Sequence, residues 1–548
     1  MTRFLNYFKS IPTFILLSLL SGILTGTSYI PFNGWALLFC YIPLWVAALK
    51  LHNANSSLKQ IFFAGWITKF VLTLIGFNWI YYVASEFGHL PWFLSLGALL
   101  LFAALMHIYI PLSLVLAFWT IRKFHIKSNY VQFVLMALFL ALIERIWPSI
   151  FEWNMAYTLL WINFPLYQWA DTVGFWGLST WLMLFQAGLA YAFWQYKINN
   201  RHSIITTFSI FFLVVLLSVT GFIKGKAWAL TDETAKIAVV QGNIGNAEKV
   251  LSEKKYQYHS YIRSVYTELT SKHLVQQPTD IIIWPETAMP FGLDEHFHER
   301  LEQKSLIESV QSWGIPVIIG AYSIDLTKQD HLGYPVYRNA IFYLSPNVSV
   351  PPELPTPFSD KPYYKTNLLV FGEYMPFGEQ FPILYKLLPF VGTYERGSGP
   401  VVANVALKNK TLRMGPQICY DSLSPDFSRG LASNGAQVIF NVTNDSWYGS
   451  WSEPFQHQLM TLARGIEVRR PLIRSTNTGV SSAILADGTL LKNSPQDKTW
   501  THTYDIPYKS EPPQTFYTKI GYLDWILWLL LLIALVFSYR SKDEHVRN

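Results

Sequence analysis

Asp280-Ile281-Ile282-Ile283-Trp284-Pro285-Glu286 sets a carboxylate directly after a fully apolar run. Three consecutive isoleucines read as a strand, and the Trp-Pro pair ends it, so Glu286 is placed at a buried strand end and fixed by a turn, where a general base belongs. Alone the segment says little, because an acid after a strand is ordinarily a solvated group. The flanking sequence repeats the pattern. Short apolar strands are expected at 237–241, 280–284, 316–322, 340–344, 412–419, 437–441, 472–475 and 482–485, and helices at 248–274, 299–312 and 456–469. Strands mixed with helices in this order imply two layers of sheet covered by helices. The Pro-rich stretch 351–362 reads as a mobile surface segment.

On either side of this middle segment the composition changes. Of 548 residues 51% are hydrophobic and 14% charged, too oily for a soluble protein of this length. The oil is concentrated before residue 225 and after residue 518. With roughly 20 apolar residues needed per crossing, eight spans are expected, at 11–29, 34–49, 61–83, 92–120, 130–147, 173–195, 203–223 and 519–539. The expected domains are a membrane part of seven spans over 1–226, a catalytic part over 227–517, and a final span with tail over 518–548. The first span lacks a convincing small-residue cleavage site and reads as a retained helix.

Basic residues occupy every second connection: Arg3 and Lys9, Lys50 and Lys59, Arg122 to Lys127, Lys197 and Arg201, and Arg540 to Arg547. Basic short loops stay in the cytoplasm, so both termini are expected inside and the middle segment outside. The net charge of +7 then faces anionic lipid, and no nucleic-acid footprint is present. Lys69 inside the third span, and Glu144 with Arg145 ending the fifth, are costly in lipid. A snorkelling lysine and an internally paired Glu and Arg are the ordinary readings, with direct chemistry the alternative. Asn78 to Gly88 is aromatic-rich and suits either an interfacial belt or a lipid access point.

Two further segments of the middle part carry chemistry. Tyr364-Lys365 precedes Phe371-Gly372-Glu373-Tyr374, and a lysine beside a developing oxyanion stabilises it, although single lysines are mostly surface charges. Gly415-Pro416-Gln417-Ile418-Cys419-Tyr420-Asp421 ends an apolar strand with a thiol at a turn. Such a thiol attacks when a base and a cation lower its pKa, while an inert core cysteine is the default. The other cysteine, Cys40, sits in an apolar run, so no disulfide framework is expected.

Taken in order, Glu286, Lys365 and Cys419 resemble the nitrilase superfamily. With the spans attached, the chain resembles the bacterial apolipoprotein N-acyltransferases over nearly its full length. The blocks 78–91, 144–145, 174–179, 240–244, 284–290, 371–376, 418–420, 441–447 and 474–479 carry this likeness. Asp421 stands where that family often has Glu, and Val370 where a proline is common.

The resemblance implies a membrane helical bundle joined to an αββα sandwich, with Glu286 as base, Lys365 as oxyanion cation and Cys419 as nucleophile. Glu373 would help position these groups, Tyr420 would offer its backbone N–H to the oxyanion, and Asp421 would be a supporting charge on a shorter arm than the family's Glu. It further implies transfer of an acyl chain from a phospholipid, phosphatidylethanolamine at sn-1, through a Cys419 thioester. The acceptor would be the α-amine of the diacylglyceryl-cysteine that begins an apolipoprotein. No metal or soluble cofactor is required, and no cluster with metal-ligand spacing stands out. A monomer in the bacterial inner membrane is expected, with the catalytic domain in the periplasm. Two rival readings are a membrane-anchored amidase or thioesterase that uses water, and a non-catalytic transporter or scaffold. The apolar stretch Phe381 to Val391 is too short to span and reads equally as a membrane-dipping lid or a core helix. Trp447, Tyr448 and Trp451 suit lipid contact or core packing alike.

Overall fold

The structure is a computed structural model that describes residues 12–245, 248–249, 251–252, 257–293, 300–346, 361–388 and 391–547. The expected loop 351–362 lies outside these residues save for its last two positions, and so do Arg3 and Lys9. The chain separates into two compact units, Met1–Lys224 with Lys519–Asn548, and Gly225–Thr518.

In the first unit α1 (Thr13–Gly26), α2 (Ile42–Asn53), α3 (Leu58–Gly76), α4 (Trp92–Leu105), α5 (Tyr109–Lys123), α6 (Asn129–Ile146), α7 (Ala170–Gln195) and α8 (Asn200–Lys226) follow one another, and Asp524–Arg547 closes the chain. Five described helical stretches are long and apolar enough to cross a membrane: Leu58–Gly76, Trp92–Lys123, Asn129–Ile146, Pro165–Gln195 and Asn200–Ala229. Thr13–Gly26 and Trp525–Phe537 are apolar but shorter.

Two expected spans differ in detail. The second is helical only from Ile42, where Pro43 occupies the first turn and its missing N–H costs nothing. The fourth is broken at 106–108, with His107 at φ 54°. Pro111, four residues on, has no N–H for the His107 carbonyl, and its ring excludes a helical carbonyl there. Helix α4 therefore ends with unpaired carbonyls inside an apolar segment. Lys69 supplies the donors: its Nζ bonds Ala103 O at 2.8 Å and also Ala104 O, and the residue is fully buried. It caps a helix end and does not snorkel. Thr73 Oγ1 and His107 Nδ1 share a 2.8 Å hydrogen bond beside it. Glu144 accepts from Tyr109 Oη at 3.0 Å and Ser179 Oγ at 3.5 Å, whereas the Arg145 guanidinium lies 5.6 Å from the Trp176 ring centre.

The second unit holds β1 (Glu233–Gln241), β2 (Ile281–Ile283), β3 (Met289–Gly292), β4 (Val317–Gln329), β5 (Pro335–Leu344), β6 (Tyr363–Tyr364), β7 (Ala403–Ala406), β8 (Thr411–Ile418), β9 (Val438–Thr443), β10 (Leu472–Thr476), β11 (Ser482–Ile484) and β12 (Trp500–Tyr508). One sheet runs β12-β1-β2-β4-β5-β6 with β3 beside β4, the other β11-β10-β9-β8-β7. The centres are parallel, β1-β2-β4 and β8-β9-β10, and the edges antiparallel. Parallel strands are covered on both faces, which is why Ile281 to Ile283 and Val438 to Phe440 are uniformly apolar and buried. The sheets stack through β1 on β10 and β5 on β8, and Ser475 Oγ ties across to Ile283 O at 3.2 Å.

Helix α9 (Gln257–Gln276) packs on β1, β3 and β12, with α10 (Arg300–Trp313) beside it. On the other sheet α11 (Pro425–Ser433) lies against β8, and α12 (Glu453–Val468) against β10 and β11. The result is an αββα sandwich. All eight expected strands are present. The short or edge strands β3, β6, β7 and β12 carry no clear apolar run and were not signalled by pattern.

Candidate active site

In open sheets with parallel strands, sites form at the carboxyl ends of the strands. Here β2 leads into Glu286, β8 into Cys419 and β9 into Asn444. Gly320 on β4 lets the turn after β2 sit close, since a Cβ there would lie 2.3 Å from Pro285 O. Glu286 is 6% exposed and both its carboxylate oxygens are hydrogen-bonded. Asn339 Nδ2 donates to its Oε1 at 2.6 Å, and the Asn444 backbone N–H to its Oε2 at 2.9 Å.

Lys365 follows β6, and its N–H is held by Asn339 O at 2.9 Å. Its Nζ stands between two carboxylates, 2.8 Å from Glu373 Oε1 and 3.4 Å from Glu286 Oε1. Asn339 Nδ2 also reaches Glu373 Oε1 at 3.1 Å, so one amide bridges both acids. Glu373 is anchored by the Leu369 N–H at 2.8 Å, in a turn closed by Phe371 N to Tyr374 O at 3.0 Å. This turn forms with Val370 in place of a proline.

Cys419 opens a 3-10 turn, Cys419–Leu423, directly after β8 and adopts φ 46°. A left-handed non-glycine residue at a strand end is a strained elbow. Two bonds to its carbonyl hold it, from Ser422 Oγ at 2.9 Å and Asn441 Nδ2 at 3.3 Å. Asp421 does more than its short arm leads one to expect. Its carboxylate accepts from Ile418 N at 3.0 Å, Asn367 N at 2.7 Å, Thr366 N at 3.2 Å and Tyr363 Oη at 2.6 Å. It thereby fastens the cysteine elbow to the segment that carries Lys365. Tyr420, between them, is half-buried.

The electrostatics follow from burial. Burial pushes the Glu286 carboxyl up, Lys365 opposes and Glu373 adds to the rise. The Cys419 thiol is pushed well above its ordinary value by burial and by Glu286, with Lys365 opposing. For Lys365 burial favours the neutral amine, but Glu373 and Glu286 outweigh it and hold the proton firmly. Asp421 rises to about 6 through burial, opposed by its hydrogen bond from Tyr363. The resting group is a neutral thiol, a charged lysine and two acids.

Sequence reading assigns no role to Asn339, whose only signal is an amide next to the apolar run Ala340 to Leu344. A second cluster was equally hidden. Asp445, Glu453 and His457 bring ligand-type atoms within 4.8 Å of one another, all buried. Arg474 Nη2 bonds Asp445 Oδ2 at 2.5 Å, and Nη1 bonds Asn441 Oδ1 at 3.1 Å and Thr461 Oγ1 at 3.2 Å. A guanidinium is thus already paired with the Asp445 carboxylate. Through Asn441 the cluster braces the Cys419 carbonyl.

The carbon-nitrogen hydrolase family model matches residues 236–510, and the apolipoprotein N-acyltransferase N-terminal domain model residues 21–188. An apolipoprotein N-acyltransferase of Bdellovibrio bacteriovorus is 46% identical over 98% of this chain and 96% of its own. Relatives of the same name are 27% identical in Geobacter metallireducens, over 97% of this chain and 96% of theirs, and 26% in Shewanella oneidensis, with the same coverage. The two family models fall on the two units of the fold, and the likeness runs end to end, so the chain belongs to the apolipoprotein N-acyltransferase family.

Proposed function

We propose that the chain completes lipoprotein maturation by carrying a fatty acyl group from a phospholipid to the N-terminal diacylglyceryl-cysteine of an apolipoprotein, through a thioester on Cys419. The arrangement that carries this reading is Lys365 held between Glu286 and Glu373, beside a cysteine raised on a strained elbow. Glu286 takes the thiol proton, and the sulfur attacks the ester carbonyl. Lys365 and the Tyr420 N–H stabilise the oxyanion. The C–O bond then breaks, Glu286 returns the proton to the departing alkoxide, and a lysophospholipid leaves. In the second half the free α-amine attacks the thioester and gives its proton to Glu286, which passes it to the released thiolate. Proton and acyl group balance over the cycle without a cofactor.

The donor is phosphatidylethanolamine attacked at sn-1, and the enzyme works as a monomer with its catalytic part in the periplasm and both termini in the cytoplasm. The alternation of basic loops supports that orientation. Exposed apolar side chains support lipid access: Phe377 is 71% exposed, Phe381 60%, Ile383 56% and Leu387 69%, on the segment after Glu373. Residues 389 and 390 lie outside the described residues; among the described residues of 381–391 only Ile383–Leu387 is helical and only Tyr385 and Val391 are buried, which supports the lid reading over the core-helix one.

Incubating purified protein with labelled phospholipid and then a diacylated lipopeptide tests the reading, with Cys419→Ala alongside. A mass shift on Cys419 that the lipopeptide amine removes is expected. No adduct on the wild type sinks the enzyme assignment. An adduct resolved by water alone replaces the acyltransferase with a thioesterase.

A further inference from the structure

Lys249 lies outside the group described above yet adjoins its base. The residue is 7% exposed, and its Nζ donates to Thr287 Oγ1 at 2.9 Å. Thr287 directly follows Glu286 and holds φ 48°, so the bond to its hydroxyl places Lys249 next to the base. An ammonium has three donors, and burying one without an opposite charge is costly. The carboxylate that acts on it is that of Glu286. Glu286 in turn is faced by Lys365 from the end of β6, Glu373 from the turn that follows, and Lys249, with amide donors from Asn339 on β5 and Asn444 after β9. Cys419 at the end of β8 feels Glu286, Lys365 and Glu373. On this side of the site Glu286 and Glu373 stand against Lys365 alone. Lys249 adds a second cation.

We propose that Lys249 is a further residue of the transfer reaction, a positioning cation on the Thr287 side of Glu286 that favours the ionised form of the base. This rests on Glu286 acting as the base. The proton moves from the Cys419 sulfur to the Glu286 carboxylate, and Lys249 keeps its own protons throughout. Burial lowers its ammonium to about 8 while Glu286 pulls the other way, so it is charged over the acid limb of the reaction. The cation keeps Glu286 ionised to lower pH than Lys365 alone achieves.

The test follows thioester formation from labelled phospholipid by the full chain in detergent, across the acid limb of its pH profile. Lys249→Met is expected to move that limb upward by about 1 to 3 pH units, the usual effect of removing an opposite charge near a carboxylate, and Lys249→Arg to leave it in place. An unshifted limb in Lys249→Met overturns the proposal whatever the rate. Should that variant not fold, Thr287→Val keeps the charge but frees it, and a smaller upward shift is expected; an unshifted limb there overturns the proposal too. Absence of any wild-type thioester would instead remove the base assignment, a separate outcome.

Discussion

Replacing Lys365 with methionine isolates the cation at the centre of the site. Its Nζ lies 2.8 Å from Glu373 and 3.4 Å from Glu286, fully buried. At an effective dielectric of about 20, Coulomb's law gives about 6 kcal/mol for the nearer pair and about 5 kcal/mol for the farther. Losing the farther attraction pushes Glu286 further above the ordinary carboxylate range. Glu286 and the half-buried Glu373 then share the Asn339 amide, and the protonated form of Glu286 is favoured. Loss of the oxyanion donor costs a further factor of about 100 to 1,000. Thioester formation in a single turnover with labelled phospholipid should therefore fall by about 10,000-fold or more, base and oxyanion losses combined. Raising the pH should recover the base part and leave the oxyanion part missing. A Lys365→Met enzyme that acylates Cys419 within tenfold of wild type would refute the assigned geometry.

Thioester formation by the wild type should rise with pH through a value above the ordinary glutamate pKa of about 4.3, because burial raises Glu286 and the base works only when ionised; a limb below that value counts against the buried base. Asp421→Ala strips the acceptor from three backbone N–H groups and the Tyr363 hydroxyl. It should cost about 2 to 4 kcal/mol in denaturant unfolding and slow acylation about 100-fold as the elbow drifts. Arg474→Met leaves Asp445 buried without its guanidinium partner, bonded only by His457 and Thr443 among the described residues, and thermal unfolding should report a loss of about 3 to 5 kcal/mol. Changing Phe377, Phe381 and Leu387 together to serine should raise KM for phospholipid with kcat nearly kept. A matching loss with a short, water-soluble ester would refute the role of that segment in lipid access.

Periodicity and length alone place the greasy helices, the eight principal strands and the sandwich class, because burying apolar surface is a property of the local run. Chain order of three blocks, through family likeness, singles out Glu286, Lys365 and Cys419. Other features depend on residues far apart in sequence and leave no local trace. Asn339 matters because β5 sets its amide between two acids, and Asp421 because one carboxylate meets donors from 363 to 418. Lys69 looked like a charge stranded in a span until Pro111 broke the neighbouring helix and left carbonyls for it to cap. Hydrophobic pattern fixes which segments leave water. Hydrogen bonding between buried polar groups is a matter of pairing, and only the assembled fold decides who pairs with whom.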